Sequence, residues 1–428
     1  MLYVNDHFVS QTEHQQSYSN FARHPLLANC RGMRFAICLE DPARWISLCL
    51  YLRDHGASVF PIHPTTPRDA AERLARRARC HVFFFGAISA PSVAGSAAAE
   101  DSQVLDRRAL DTEAVLVQMS SGTTGAPKCI ERSWAAIGTE IDSYIMSFNV
   151  AAEMTPVVAC PTSHSYGLIC GVLVALTRGQ TPVIVTNMNP RYLLRRLSEC
   201  ERPLLYAAPA LLNTLMRLLP ENQRFHAVMT SGAPMNRGAF EALKRKADHV
   251  FQQYGCSEAG CVALNTKSDA ANAMGRPLPH VAVVAGENAD TPAEIRVEVG
   301  QQTILTRDLG YLDECGVLCF VARLDDTINV AGINVYPGEI EDIMLEYPDI
   351  DDAVAYKKTD PYAGERVCLK FTASVDVDIA LLRAWCTTQL SPYQIPVELI
   401  QVTRIPRSGN GKTNRRQLVE DPTPAMVE

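Results

Sequence analysis

Two glycines, four hydroxyl side chains and a lysine are concentrated near residue 120, after an apolar run at 114–117 that predicts a buried strand. Glycines allow a tight turn that brings backbone N–H groups close to an anion, and the hydroxyls and the ammonium group add further donors. These residue types predict a polyphosphate-binding loop; the alternative is an exposed turn without a ligand. The loop reads Met119-Ser120-Ser121-Gly122-Thr123-Thr124-Gly125-Ala126-Pro127-Lys128.

The loop does not match the Walker motif, in which the lysine directly follows a glycine and precedes a serine or threonine. Pro127 stands before Lys128, and Cys129 stands after it. The chain therefore carries a phosphate loop of another class.

The overall composition narrows the class of protein. A chain of 428 residues is too long for one typical core, so we expect two or three domains. The net charge of -7 argues against a nucleic-acid-binding surface. There is no apolar run long enough to cross a bilayer and no secretory signal at residues 1–7, and the 14 cysteines favour reduced thiols. We therefore expect a cytoplasmic protein without a membrane span or a nucleic-acid partner.

Apolar runs and helical patterns alternate along the first part of the chain. Strands are predicted at 34–39, 59–62 and 82–85, with helices at 42–55 and 67–79 between them. This alternation is typical of an α/β fold with parallel strands.

The pattern changes after residue 323. Short strands and a proline-initiated helix at 337–346 follow a pair of aspartates. We therefore predict an N-terminal domain over residues 1–323 and a smaller C-terminal domain over residues 324–428.

Six further segments follow the phosphate loop. Together with the loop they closely resemble motifs of the adenylate-forming superfamily, and they occur in the same order as in that superfamily. That superfamily comprises acyl- and aryl-CoA synthetases, peptide-synthetase adenylation domains and luciferases. Seven matches in one order rarely arise by chance. The six segments are Pro161-Thr162-Ser163-His164-Ser165-Tyr166-Gly167, Ser231-Gly232-Ala233-Pro234, Gln252-Gln253-Tyr254-Gly255-Cys256-Ser257-Glu258, Thr306-Arg307-Asp308, Arg323-Leu324-Asp325-Asp326-Thr327-Ile328 with Gly332 and Pro337-Gly338-Glu339-Ile340-Glu341, and Ser408-Gly409-Asn410-Gly411-Lys412 with Arg415.

The resemblance implies both a fold and an activity. The fold is a large N-terminal α/β domain that binds AMP, shortened relative to the superfamily, with a small, mobile α+β C-terminal domain as a lid. The activity is that of an AMP-forming acid–thiol ligase, which uses ATP and Mg²⁺ to adenylate a carboxylic acid and then transfers the acyl group to a thiol.

The superfamily motifs imply a set of nucleotide-binding residues spread along most of the chain. The predicted ATP-binding residues are Ser120, Ser121, Gly122, Thr123, Thr124, Gly125, Lys128, Gly232, Ala233, Pro234, Tyr254, Gly255, Ser257, Asp308, Arg323 and Lys412.

Three of the matched residues are predicted to be catalytic. Lys412 would contact the carboxylate and the α-phosphate and offset the charge that develops there. Glu258 would hold Mg²⁺, which prefers oxygen ligands, and Ser257 would hydrogen-bond the phosphate or the acyl carboxylate. Beside them, Tyr254 would offer a ring face to adenine, and Asp308 would accept from the ribose hydroxyls. The alternatives are a solvated lysine, surface carboxylates and a tyrosine that packs in the core.

The superfamily carries out its two half-reactions in two orientations of the C-terminal domain. The resemblance implies that Asp325 is the hinge between them. It also implies that Gly332 lines the tunnel through which the pantetheine thiol enters.

At five positions the chain departs from the residues usual in the superfamily. Cys129, Arg307 and Ala322 replace glycines, Gln252 replaces an asparagine, and Asn329 stands where lysine is common. None of these changes removes a group that adenylation needs. Arg307 either crowds or reinforces the nucleotide site.

The acid pocket is predicted from small and weakly polar residues near a histidine. Amino-acid-activating relatives place an aspartate just past this histidine, and here no carboxylate is present at 164–167. An unpaired ammonium group is costly in a buried pocket, so an aryl or medium apolar acid fits best. For His164 the alternative is a histidine that is hydrogen-bonded within the core. The predicted substrate residues are His164, Ser165, Ala207, Ala208, Ala233 and Cys256.

The acceptor stays open between CoA and the phosphopantetheine of a separate carrier protein, since both present the same thiol. Other functions also stay open: an adenylate-forming enzyme that makes a lactone or amide, an amino-acid-activating enzyme, and a binding protein without catalysis. A serine hydrolase is a remote alternative, because the segment from Gly255 to Gly260 resembles a nucleophile elbow shifted by one residue.

Overall fold

The chain alternates helices and strands in a computed structural model that describes residues 1–86, 102–105, 113–120, 128–232, 235–360, 363–407, 413, 415 and 417–420. The strands are β1 (Leu2–Val4), β2 (His7–Val9), β3 (Arg34–Leu39), β4 (Ser58–Pro61), β5 (Val82–Gly86), β6 (Ser102–Val104), β7 (Val115–Ser120), β8 (Lys128–Ser133), β9 (Thr155–Val158), β10 (Val183–Ile184), β11 (Pro203–Ala207), β12 (Phe225–Thr230), β13 (Ala247–Cys256), β14 (Gly260–Asn265), β15 (Ala273–Pro277), β16 (Ala282–Val284), β17 (Ala293–Val299), β18 (Gln302–Leu312), β19 (Leu318–Arg323), β20 (Ile328–Val330), β21 (Ile333–Val335), β22 (Ile350–Asp360), β23 (Gly364–Ala373) and β24 (Glu398–Gln401). The helices are α1 (Gln11–Arg23), α2 (Pro42–Asp54), α3 (Arg68–Arg77), α4 (Trp134–Ser147), α5 (Val174–Thr177), α6 (Pro190–Ser198), α7 (Pro209–Leu218), α8 (Arg237–Lys246), α9 (Pro337–Met344), α10 (Ile379–Gln389) and α11 (Gln417–Glu420), with a π-helical segment at Tyr166–Leu173 and a 3₁₀ turn at Asn149–Ala151.

Two sheets form the framework of the N-terminal region. Within the described residues, the smaller sheet has six strands in the order β6-β5-β3-β4-β7-β8, and the larger has thirteen in the order β16-β17-β18-β19-β15-β14-β13-β12-β11-β9-β10-β1-β2. β3 pairs in parallel with β4 and β5, and β9, β11, β12 and β13 are parallel neighbours in the larger sheet. The strands predicted at 34–39, 59–62 and 82–85 are present as β3, β4 and β5, and the predicted α/β class is confirmed.

Apolar side chains of both sheets meet in one core. Phe84 of the smaller sheet and Phe251 of the larger belong to the same buried cluster, which also takes residues from α2, α4 and the π-helical segment. α2 is buried on all sides from Trp45 to Leu52, which explains its apolar sequence. α6, α7 and α8 contribute to a second cluster with the larger sheet, and α3 to another with the smaller sheet.

The segment from Ile328 onward forms a sheet of its own. Among the residues described there, the strand order is β21-β20-β23-β22, with β24 beside β23, and α9 and α10 share a separate core with these strands. The helix predicted at 337–346 begins at its proline, which suits the first turn, and ends at Met344. The predicted pairing of a large α/β domain with a small C-terminal domain is confirmed, while the boundary at residue 323 stays a prediction.

Among the helices in the described ranges, none is long and apolar enough to cross a bilayer.

A buried ion pair links β8, which follows the phosphate loop, to β14, which follows the predicted metal ligand Glu258. Arg132 on β8 donates to Glu140 on α4 at 2.5 Å, and the two side chains are only 7% and 1% exposed. The second oxygen of Glu140 accepts from the backbone N–H of Cys261 on β14 at 2.7 Å. Gly260 packs on the pair so closely that a Cβ atom there would lie 2.4 Å from the Arg132 guanidinium. Three elements that flank the site are therefore fixed to one another.

We expect Glu140→Gln to lower the free energy of unfolding by about 3–5 kcal/mol, because the buried Arg132 guanidinium loses its counter-charge. Urea denaturation followed by circular dichroism measures this change. Asp142→Asn, on the exposed side of the same helix, is the matched control and should stay within about 0.5 kcal/mol of the parent. Equal stability of the two variants would show that the ion pair does not hold these elements together.

Candidate active site

Four parallel strands of the larger sheet have their carboxyl ends at one edge. A predicted site segment follows the carboxyl end of each of these strands. β9 leads to the segment that contains His164, and β11 ends at Ala207 with Ala208 directly after it. β12 leads to Gly232, and β13 ends at Cys256. Open α/β sheets bind their ligands at the carboxyl ends of parallel strands. The topology therefore brings these predicted substrate and nucleotide segments to one edge.

The phosphate loop connects two antiparallel strands of the smaller sheet. Ser120 at the end of β7 is the Cα partner of Lys128 at the start of β8. Lys128 is exposed. The predicted phosphate-binding residues between these two strands lie outside the described residues; they are Ser121, Gly122, Thr123, Thr124 and Gly125.

The segment that contains His164 is tied to the phosphate-loop strand and to β12. The Ser165 hydroxyl donates to the side-chain oxygen of Gln118 on β7 at 2.5 Å. The Tyr166 hydroxyl donates to the carbonyl of Met229 near the end of β12 at 2.6 Å. His164 itself is exposed, so the alternative of a core histidine is not supported.

The π-helical geometry after this segment brings the backbone close to the preceding turn. A Cβ atom on Gly167 would lie 2.4 Å from the carbonyl oxygen of Pro161, so the second residue of the π-helical segment has no room for a side chain. Single π-helical turns within helices are often found at functional sites.

The predicted metal ligand lies on the tight turn between β13 and β14. Glu258 is exposed there, and its carboxylate makes no hydrogen bond or ion pair with any residue that the structure describes. Ser257 beside it is half-buried. Gly255 is required by this hairpin, since a Cβ atom would lie 2.2 Å from the carbonyl oxygen of Gly260. The turn presents an exposed carboxylate at the strand edge.

The same hairpin argues against the serine-hydrolase alternative. A nucleophile elbow is a sharp turn from a strand into a helix. Ser257 instead joins two antiparallel strands, β13 and β14. Burial raises the pKa of the neighbouring Cys256 thiol to about 12, so this thiol stays protonated and is not a ready nucleophile either.

The predicted adenine residue Tyr254, which is buried, and the predicted ribose residues Asp308 and Arg323 form one group of polar contacts. The Tyr254 hydroxyl donates to one oxygen of Asp308 at 2.7 Å, and the Arg323 guanidinium lies 3.2 Å from the other oxygen. Burial raises the pKa of Tyr254, so the phenol keeps the proton that it donates. Asp308 is buried, and its carboxylate, which has about four acceptor sites, is held by these neighbours. Its role at a ribose stays a prediction.

The Arg307 side chain reaches the predicted hinge. Its guanidinium donates to Asp325 at 2.6 Å. Its effect on the nucleotide site stays a prediction. The backbone of Arg307 has φ +60°, a left-handed conformation that favours glycine. This conformation suits the glycine that the superfamily resemblance implies at this position.

Gly332, the predicted tunnel residue, lies in the two-residue turn between β20 and β21. Both Ala331 and Gly332 have positive φ, at 51° and 88°, and the Asn329 side chain accepts from the Gly332 N–H at 3.0 Å. The turn geometry alone therefore favours a glycine here. The tunnel role stays a prediction.

Some predicted residues lie outside the described ranges, among them Ala233, Pro234 and the proposed catalytic Lys412. Near the last of these, Arg415 is described. Its guanidinium lies 2.6 Å from Glu341 on α9 and donates to the carbonyl of Ala355 on β22 at 3.0 Å. Arg415 thus anchors the C-terminal segment to its own domain.

Sequence reasoning missed the buried charges near the site. Glu140 lies on the stripe of α4 that carries the buried Ile137, Ile141 and Tyr144. A carboxylate on an apolar stripe indicates a buried cationic partner, but the sequence does not say which one. Gln118, which binds Ser165, was also missed.

Known proteins match both parts of the chain. Residues 13–297 match the AMP-binding enzyme family, and residues 339–412 match the AMP-binding enzyme C-terminal domain. A 3,4-dihydroxybenzoate–[aryl-carrier protein] ligase from Bacillus anthracis is 37% identical over 421 residues, which are 98% of each chain. A 2-succinylbenzoate–CoA ligase from Geobacillus kaustophilus is 29% identical over 347 residues, 72% of this chain and 69% of the relative.

A solved structure shares the fold. The O-succinylbenzoate coenzyme A synthetase from Bacillus subtilis, in complex with AMP, has a TM-score of 0.82 at 20% identity, over 100% of this chain and 96% of that one. The family matches and the full-length relative lead to the same conclusion as the ordered motifs. The chain belongs to the AMP-binding enzyme family and is an AMP-forming ligase of the adenylate-forming superfamily.

Proposed function

We propose that this enzyme activates an aryl carboxylic acid of the hydroxybenzoate class and transfers it to the phosphopantetheine thiol of a separate aryl-carrier protein. The observation that carries this proposal is the full-length similarity to a ligase of that substrate and acceptor. CoA is the second candidate acceptor, because a less similar relative is named as a CoA ligase.

In the first half-reaction, an oxygen of the acid attacks the α-phosphorus of ATP, and pyrophosphate leaves. Asp308, fixed by Tyr254 and Arg323, would hold the ribose, and the phosphate loop would bind the triphosphate. Lys412 would offset the negative charge that develops between acid and phosphate. In the second half-reaction, the thiol attacks the acyl carbon, and AMP leaves with the bridging oxygen.

Glu258 is the residue that would hold Mg²⁺. Its carboxylate is exposed at the strand edge, and oxygen ligands suit this cation. The described residues contain no cluster of three or more histidine, cysteine or acidic side chains that could bind a metal. Mg²⁺ commonly binds through one or two carboxylates together with substrate phosphates, so a lone carboxylate is sufficient. When bound, the cation would neutralise charge on the triphosphate.

The residues around His164 support an acid without an amino group. The segment offers hydroxyls, a histidine and the nearby Gln118, and residues 160–167 contain no carboxylate. A substrate ammonium group would lack a counter-charge from this segment.

We expect ATP–pyrophosphate exchange to be supported by hydroxybenzoates and by other aryl acids, and poorly by amino acids. A matched pair, phenylalanine and 3-phenylpropanoate, differs only in the ammonium group and should favour the deaminated acid. A clear preference for the amino acid would contradict the proposed substrate class.

A second experiment decides the acceptor. Holo-carrier protein and CoA are each offered the same adenylate, and mass spectrometry measures which of them becomes acylated. Efficient acylation of CoA alone would replace the carrier protein with CoA.

Glu258→Gln should raise the Mg²⁺ concentration needed for half-maximal exchange by about tenfold or more, because an amide is a weaker ligand than a carboxylate. Exchange rates over a Mg²⁺ titration measure this change. Glu314→Gln, at another exposed carboxylate on a turn, is the control and should leave the titration unchanged. If both variants titrate like the parent, Glu258 does not hold the metal.

Lys412→Ala should slow adenylate formation by about 10²–10³-fold, the usual effect of losing one electrostatic stabiliser. The same variant should convert chemically supplied acyl-adenylate to thioester at a nearly normal rate. Single-turnover measurements of each step test this difference. If both steps slowed by a similar factor, Lys412 would not act specifically in adenylation.

A further inference from the structure

Two consecutive aspartates at the junction of the two domains are held by arginines from opposite sides. Asp325 binds Arg307, which lies on β18 of the large sheet, at 2.6 Å. Asp326 lies 3.7 Å from Arg415, which is anchored on the C-terminal domain through Glu341. The junction is therefore bound to both domains within two residues.

Arg307 binds the junction with its backbone as well as its side chain. Its carbonyl oxygen accepts from the N–H of Leu324 at 2.9 Å. Its own N–H donates to the Glu294 carboxylate on β17 at 2.9 Å, which fixes the arginine from the other side. The residue that follows it on β18 is Asp308, the proposed ribose ligand. The contact to the junction is thus built directly beside the nucleotide site.

The backbone of Arg307 adopts a conformation that is unusual for a residue with a side chain. A non-glycine residue at φ +60° is strained, and glycine would adopt this conformation without that cost. Strained residues persist where the surroundings compensate for them, and they often mark a functional constraint. Here the Arg307 side chain is paired with Asp325, whose side chain is only 9% exposed.

The ion pair is also exposed to solvent on its arginine side, which allows it to open. The Arg307 side chain is 53% exposed, so water and salt reach the cationic partner. A second contact between the domains, from the Arg237 N–H to Asp342 at 3.1 Å, belongs to the same arrangement.

We propose that Arg307 is a positioning residue that holds the hinge aspartate Asp325. This ion pair then stabilises the domain arrangement in which these contacts form, and it must open before the C-terminal domain reorients. The inference rests on the two half-reactions of the proposed function. It assigns a role to a residue at which this chain departs from the usual glycine.

Hydrogen–deuterium exchange tests the contact without any need for activity. In Arg307→Asn the backbone conformation is kept, because asparagine tolerates positive φ, while the cation is lost. We expect the peptide over residues 324–332 to exchange about two- to fivefold faster, in the range for a partly exposed ion pair. Arg202→Asn is the matched control, since Arg202 also has positive φ and pairs with Glu153, away from the junction in sequence. Unchanged exchange in Arg307→Asn, or equal acceleration in the control, would overturn the proposal.

Single-turnover kinetics give the functional readout. The ratio of the adenylation rate to the thiol-transfer rate should shift by about two- to fivefold in Arg307→Asn, and Asp325→Asn should give the same shift. The double variant should add nothing further, because both changes break one contact. Raising the salt from about 0.05 to about 0.5 M should move the parent ratio toward the variant ratio.

Equal slowing of both steps would contradict a positioning role. If the parent forms no adenylate with any acid, the proposed function fails, whereas the exchange measurement still decides whether Arg307 holds the junction.

Discussion

The buried contact between Arg132 and Glu140 constrains the rest of the site. A charge in a protein core is costly unless it is paired, so neither residue can leave the other without a large loss of stability. Because Glu140 also accepts from the backbone of Cys261, the contact joins β8, α4 and β14. The strand that leaves the phosphate loop and the hairpin with Glu258 are therefore held in one arrangement before any substrate binds.

A second group of polar contacts fixes the nucleotide end of the site and the junction beside it. Asp308 is held by Tyr254 and Arg323, and the adjacent Arg307 is paired with Asp325. In the proposed mechanism these adjacent residues serve different purposes. Asp308 would hold the ribose, and Arg307 would determine how firmly the C-terminal domain is held.

Much of the fold and the chemistry could be predicted from the sequence, because both depend on local patterns. The strand–helix alternation predicted β3, α2 and β4 to within a residue or two, and the ordered motifs identified the superfamily. Contacts between distant segments could not be predicted. The sequence gives no partner for Glu140, no direction for the Arg307 side chain, and no sign that Ser257 lies on a hairpin, since each depends on pairing across many residues.

The central claim is that the acid is activated as an acyl-adenylate before a thiol receives it. An aryl acid labelled with oxygen-18 in its carboxylate, incubated with ATP, enzyme and holo-carrier protein, tests this claim most directly. Because the acid oxygen attacks the α-phosphorus and stays on AMP when the thiol displaces it, mass spectrometry should find one labelled oxygen in each AMP released. Unlabelled AMP, or label recovered in inorganic phosphate beside ADP, would contradict the account.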